Sequence, residues 1–282
     1  MQSRRAGTAQ MLVRLLRLAI FVIATIFTPT ACDDAPSRRA VAAAPDPART
    51  AEEIVAAGPD GETQAVRLAE IRAARAGAAG REARRRIESL LAEAGAGLRL
   101  ATTGAARDRY GRTVAHAEFD RDGETVWIQA ELVRDGLAVV SSYADNRARA
   151  RDLLALERSA REAGRGGWGE GVFVVRDPDP NGLAQHLDSF QIVEGRVIDA
   201  AEARSGRIYL NFGLEWRTDF TVSIRDDDRA RFDEAGLDPL SLAGARVRVR
   251  GWLYRENGPM IAIDHPEALE VLDAPEAAPP PG

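Results

Sequence analysis

Hydrophobic and polar positions change their spacing several times along the chain, and each change marks an expected element. From Ile54, short apolar segments flank the turn signal Pro59-Asp-Gly61, and Ala65-Val-Arg-Leu-Ala-Glu-Ile71 follows, which predicts a hairpin and a following strand. Residues 79–94 switch to helical spacing, with Ala83, Ile87, Leu90, Leu91 and Ala94 on one face. Strand spacing returns at Gly97–Ala101, Thr113–Phe119 and Val126–Gln129, and helical stretches follow around Ala130–Asp135 and Asn146–Ala163. Beyond the turn-rich run Asp177-Pro-Asp-Pro-Asn-Gly182, strands are expected at Phe190–Ile198, Arg207–Phe212 and Asp219–Ile224. Asp226–Asp228 then offer an N-cap for a helix over Arg229–Ala235, stopped by Gly236. Ala245–Trp252 resumes the two-residue period, and Glu256-Asn-Gly258 turns the chain into Met260–Ile263.

The amino terminus reads differently. Arg4, Arg5, Arg14 and Arg17 precede an apolar run over Leu18–Phe27, the pattern of an export signal. Ten residues span about 15 Å as a helix, half of a hydrocarbon core, which argues against a permanent transmembrane helix. Pro29-Thr-Ala-Cys32 resembles a bacterial lipoprotein cleavage box, with Pro29 where a Leu is usual. A diacylglycerol thioether on Cys32 would anchor the chain to a membrane; the alternative is ordinary signal cleavage nearby. The expected location is the periplasmic or cell-envelope side.

Composition narrows the chemistry. With 45% hydrophobic and 29% charged residues, the 282-residue chain has enough apolar material for a core. Cys32 is the sole cysteine, so an internal disulfide is excluded, and the three histidines have no zinc-ligand spacing. The net charge of −5 is unevenly spread: seven Arg against three acids in residues 1–50, 19 against 19 in 51–168, and 12 against 21 in 169–282. All 38 basic residues are Arg, which reflects coding bias rather than selection for phosphate recognition.

Asp108-Arg-Tyr-Gly-Arg112-Thr-Val-Ala, Leu132-Val-Arg-Asp-Gly-Leu-Ala138, Leu156-Glu-Arg-Ser-Ala-Arg161 and Gly164-Arg-Gly-Gly-Trp168 resemble, in order and spacing, the staphylococcal-nuclease (thermonuclease) family. With the weaker hairpin before them, the likeness extends over most of residues 51–170. The resemblance implies an OB-type barrel carrying helices and a calcium-dependent phosphodiesterase acting on DNA and RNA. It also implies two phosphate arginines, which here match Arg67 and Arg112. The metal-ligand Asp and the general-base Glu of the family fall on Arg72 and Arg75, so both carboxylates have become cations. Asp60-Gly-Glu-Thr63 offers Glu62 as a weak stand-in for the remaining metal ligand, but its distance from Arg67 is too short for the intervening hairpin. Arg134 and Glu157 also fit the family pattern and read as a structural pair.

Two like charges beside a dication repel it, so calcium binding by the inherited arrangement is not expected. What remains is a cationic cluster of Arg67, Arg72, Arg75, Arg81, Arg84, Arg85 and Arg86, either a phosphate-backbone site or a solvated helix face. In the second half, the order strand, strand, strand, helix, strand, strand is that of an OB-type barrel and resembles the OB-like domains that follow degenerate thermonuclease modules. Arg246, Arg248 and Arg250 alternate onto one face beside Trp216 and Trp252, as a binding stripe or as a polar strand face. His265 has no partner in sequence and no expected role.

The expected architecture is thus mainly β with α, two tandem OB-type five-stranded barrels. Its divisions are an export signal (1–32), a flexible tether (33–50), a thermonuclease-like domain (51–170), a linker (171–188), a second OB-like domain (189–273) and a disordered tail (274–282). The expected function is non-catalytic binding of a phosphate-bearing polymer, such as single-stranded nucleic acid or another polyanion, or of an envelope protein or glycan, with no cofactor. The alternative is a divalent-metal nuclease in which Glu62, Glu70 or another carboxylate replaces the missing ligands, and only then does Ca2+ enter. A third reading makes both barrels envelope scaffold.

Overall fold

In the computed structural model, residues 38–40, 52–57, 62–75 and 77–273 are described. The export signal with Cys32, most of the expected tether, the Pro59-Asp-Gly61 turn and the tail 274–282 lie outside them. Among the described residues no helix is long and apolar enough to cross a membrane.

The first half contains β1 (Arg38–Ala40), β2 (Glu53–Ala57), β3 (Thr63–Leu68), β4 (Ile71–Ala73), α1 (Gly77–Ala94), β5 (Leu98–Ala101), β6 (Thr113–Arg121), β7 (Glu124–Trp127), α2 (Ile128–Arg134), β8 (Ala138–Val140) and α3 (Ala150–Glu162). Strands β1-β5-β6-β3-β2 form one sheet in that order, with β7 also on β6, and β4 pairs with β8. Within the stretch expected to be a tether, β1 pairs antiparallel with β5. Strands β2 and β3 pair antiparallel, as the hairpin pattern requires, and β3 lies parallel to β6. The strand expected to run unbroken to Ile71 is split, because Glu70 adopts φ 61°, a left-handed conformation unusual for a non-glycine residue. That kink turns the buried Glu70 carboxylate toward the Arg149 amide, 3.1 Å away, and His116 Nε2, 3.3 Å away.

The second half contains β9 (Val175–Arg176), α4 (Pro180–Ala184), β10 (Ser189–Arg196), β11 (Asp199–Glu202), β12 (Ile208–Asn211), β13 (Thr221–Ile224), α5 (Arg229–Glu234), β14 (Arg246–Glu256), β15 (Gly258–Ala262) and β16 (Leu269–Asp273). Its strand order is β11-β12-β13-β15-β14-β10-β9, with β16 on β14. The molecule is therefore a mixed α+β structure with five α-helices among the described residues. The sheets hold six and eight strands, more than the five expected in each half. The segment expected to be a linker is folded onto the second half: β9 runs parallel to β10, and Asp179 caps α4, whose Leu183 is buried in the second core.

Local signals explain most of these elements. The predicted apolar face of α1 is the face that is buried. Helices α2, α3 and α5 all end on a glycine with positive φ, at Gly136, Gly164 and Gly236. In each case the next amide reaches back five residues, as in Leu137 to the Leu132 carbonyl, closing a Schellman motif. At Gly136 a Cβ would stand 2.1 Å from the Arg165 carbonyl oxygen, so the close approach of the following loop also demands glycine.

Each half has its own hydrophobic core, one around Leu68, Leu90, Phe119 and Leu153, the other around Phe220, Phe232, Val249 and Ile261. The described residues nonetheless belong to one compact unit. The tie is ionic. Arg250 of β14, 3% exposed, places Nη1 3.0 and 2.9 Å from the two carboxylate oxygens of Glu157 on α3, and Nη2 2.6 Å from Glu270. Glu157 also accepts the Val140 amide at 2.6 Å. Burial alone would lower the Arg250 pKa, but Glu157 and Glu270 outweigh it and raise the pKa above its ordinary value. Around this centre, Arg147 reaches Glu267 at 3.0 Å, and Ser142 lies 2.8 Å from His265. Glu157 is thus structural as expected, but its partner is Arg250; Arg134 pairs with Glu131 instead.

Removing one member of a buried pair strands the other's charge, at a cost of about 3–5 kcal/mol. Arg250→Met is expected to lower the urea-unfolding free energy by that amount, and Glu157→Gln in the same chain to recover part of it. Urea denaturation followed by circular dichroism measures both.

Candidate functional site

Arg67 lies on β3, Arg72 on β4, Arg75 just beyond β4, and Arg112 just before β6. The β3–β6 parallel pair sets Arg67 beside Val114, and the kink at Glu70 redirects the chain so that Arg72 and Arg75 come back to the same place. All four line one cavity of about 520 Å³. Arg107 and Arg109 complete six arginines on its wall, against the carboxylates of Glu52, Asp108 and Asp145.

These arginines are not equivalent. Arg112 is held by Asp108, at 2.8 Å from Nε, and by Glu53, at 2.8 Å from Nη1, and it lies over the Tyr110 ring. Burial would lower its pKa, but the two carboxylates raise it. Arg112 thus braces the turn that Asp108 organises by accepting the amides of Tyr110 and Arg112. Arg75 pairs with Glu52 at 2.7 Å. Arg67 and Arg72, by contrast, have no carboxylate within ion-pair distance among the described residues; Arg67 packs over Tyr143 and Arg72 over Phe190, each at 5.0 Å. Burial, with Arg75 and Arg67 adding to it against Tyr143 and Glu52, pulls the Arg72 pKa down, and its Nε is buried without a hydrogen-bond partner. A guanidinium remains charged at neutral pH, so Arg72 carries an uncompensated desolvation penalty that an anion in the cavity would relieve.

The wider cationic cluster expected from the sequence does not form one patch. Arg86 ties α1 to Glu131 and Asp135, Arg85 pairs with Glu82, and Arg81 and Arg84 are not on the cavity wall. The stripe on β14 is taken up by carboxylates: Arg246 and Arg248 pair with Glu194, Arg248 and Arg250 also face Glu270, and of the buried pair Arg248 and Arg250 the latter reaches Glu157 of the first half. Trp216 and Trp252 are half exposed as expected, but only Trp252 reaches the arginine cavity.

A calcium site needs several oxygen ligands converging at about 2.3–2.6 Å. Among the described residues no group of three or more His, Cys, Asp or Glu side chains is arranged to hold a metal ion. Glu62 is exposed just ahead of β3 and is not on the cavity wall, and Glu70 is turned away into its contacts with His116 and Arg149. Neither lines the arginine cavity.

Residues 65–170 match the family model described as staphylococcal nuclease homologue. This segment is a staphylococcal-nuclease-like domain. The nuclease-like domain holds β4 to α3 and most of β3, with all six arginines of the cavity, and the second core lies beyond its end. No match was found among curated proteins. Tyr143 and Trp252, which complete the cavity wall, were not singled out for the nuclease-like site from sequence: Tyr143 sits in a loop without periodic pattern, and Trp252 comes from the other half.

Burial pushes the Asp108 carboxyl up, but the Arg112 side chain and the Tyr110 and Arg112 amides outweigh it and hold the pKa below the usual carboxylate range. A depressed carboxylate stabilises the fold above its ordinary pKa and loses that contribution as pH falls through the depressed value. Asp108→Asn is therefore expected to be less stable than the parent at neutral pH, with the gap narrowing in acid. Thermal melts between neutral pH and pH about 2 measure the difference.

Proposed function

We propose that the chain is an exported, lipid-anchored binding protein whose nuclease-like domain holds phosphate groups without hydrolysing the polymer that bears them. The observation that carries this reading is Arg72: a largely buried guanidinium on the cavity wall, with no carboxylate partner among the described residues, next to an equally unpaired Arg67. Phosphate oxygens would supply the missing acceptors and the missing negative charge. Arg72 and Arg75 stand where the family resemblance calls for a metal-ligand Asp and a general-base Glu, which supports binding over cleavage. The half-exposed Tyr143 and Trp252 give a single strand two aromatic faces to stack on.

The same proposal treats both halves as OB-type barrels. In support, each half contains a parallel pair, β3 with β6 and β13 with β15, embedded among antiparallel strands, and β14 runs antiparallel to both β10 and β15. Only two residues separate β10 from β11, so a short bend joins one end of the second sheet path to the strand next to its other end.

Fluorescently labelled single-stranded DNA and RNA, added to the full chain in detergent, test this reading by anisotropy and gel together, with calcium and with chelator. The expected result is binding without cleavage in both conditions. Arg67→Ala and Arg72→Ala should each weaken binding about tenfold, as for loss of a charge-assisted hydrogen bond. Each should also reduce the slope of log affinity against log salt by about 0.7. Calcium-dependent cleavage abolished by Arg112→Ala would instead make the chain a nuclease with relocated carboxylates.

A further inference from the structure

Ser142 and His265 meet where the two halves touch. Ser142 follows β8 in a loop pinned on both sides, by the Ser141 amide on the Glu70 carbonyl at 2.8 Å and by the paired amides and carbonyls of Tyr143 and Asn146. His265, 3% exposed, follows β15 in extended backbone, just before the turn at Pro266–Ala268. Its Nδ1 lies 2.6 Å from Asp264 Oδ1 and its Nε2 lies 2.8 Å from Ser142 Oγ.

The protons in this line are fixed by what each group can do. The hydrogen bond from His265 holds the Asp264 pKa below the usual carboxylate range, so the carboxylate is an acceptor only. In the neutral imidazole Nδ1 therefore carries the proton toward Asp264, and Nε2 accepts from the Ser142 hydroxyl. A serine whose proton is already directed at an oriented imidazole is the arrangement of an activated nucleophile. The Ser142 amide makes no hydrogen bond among the described residues. All three side chains line a second cavity of about 410 Å³, distinct in most of its wall from the arginine cavity. Phe190, Trp252 and Ile263 give it apolar walls, and Arg72, Arg225, Arg250 and Asp228 bring charge to the rest.

The geometry points to a second site, in which Ser142 is the nucleophile, His265 the general base and Asp264 a positioning residue, for hydrolysis of small carboxylic esters. Ser142 Oγ bonds to the ester carbonyl carbon as its proton passes to His265 Nε2. The oxyanion that forms lies beside the Ser142 amide, with Arg72 on the same wall. Its collapse breaks the bond to the alcohol oxygen, which leaves with the proton from Nε2. Water then gives a proton to Nε2 and its oxygen to the acyl carbon, and Ser142 departs with that proton. The net change is ester plus water to acid plus alcohol, with no other reactant. The site depends on neither phosphate binding nor metal.

The test uses the full chain, a fluorophosphonate probe located by peptide mass spectrometry, and p-nitrophenyl acetate as substrate. Label is expected on Ser142, absent in Ser142→Ala and reduced at least about 100-fold in His265→Gln. Asp264→Asn should lower kcat with KM unchanged, which loss of packing alone would not produce. Since His265 also joins the two halves, Ser142→Cys gives a second readout: its iodoacetamide alkylation should be at least about tenfold faster than in Ser142→Cys with His265→Gln. No label on Ser142, labelling unaffected by His265→Gln, or equal alkylation of the two cysteine variants would each overturn the assignment.

Discussion

Arg250 carries a full charge into the contact between two hydrophobic cores, and Glu157 and Glu270 make it tolerable there. The arrangement is demanding because a buried guanidinium needs charge compensation and directed acceptors at once. Glu157 meets the first need with one carboxylate and uses the same group to accept the Val140 amide. The end of β8, the face of α3 and the middle of β14 are thereby fixed to a single point. The loop after β8 inherits its position from that point, and with it Tyr143 on one cavity and Ser142 on the other.

Charge pairing also divides the arginine cavity into two kinds of cation. Arg75 and Arg112 are already neutralised by carboxylates of the same chain, and any phosphate must compete with Glu52, Glu53 and Asp108 for them. Arg67 and Arg72 rest against aromatic rings, an interaction that offers the positive charge partial relief, and among the described residues no carboxylate competes for their N–H groups. Residue type alone does not distinguish these cases; what matters is which carboxylates the fold brings within 4 Å.

The sequence discloses the elements whose causes are local. The apolar face of α1, the hairpin of β2 and β3, the glycine end of α5 and the strand β14 all follow from residues within one or two turns of each other. The short strands β8, β9 and β16 have partners elsewhere in the chain and no distinctive pattern of their own. The site divides in the same way. Arg67, Arg72, Arg75 and Arg112 are legible through motif spacing and do share a cavity, whereas the pairing of Arg248 and Arg250 is invisible on β14 because Glu194, Glu157 and Glu270 come from three other elements. The pairing of His265 with Ser142 is equally hidden, at a separation of 123 residues.

The distance along the chain between Glu157 and Arg250, 93 residues, has a temporal meaning. Synthesis runs from the amino end, so α3 and the whole nuclease-like domain exist before β14 does. Without Arg250, Glu157 keeps the Val140 amide and a longer contact with Arg161, 3.7 Å away on the same helix. The nuclease-like half is therefore provisional while the chain is being made. Its buried carboxylate is completed by a guanidinium from the other half, so the seam closes only when both cores are in place.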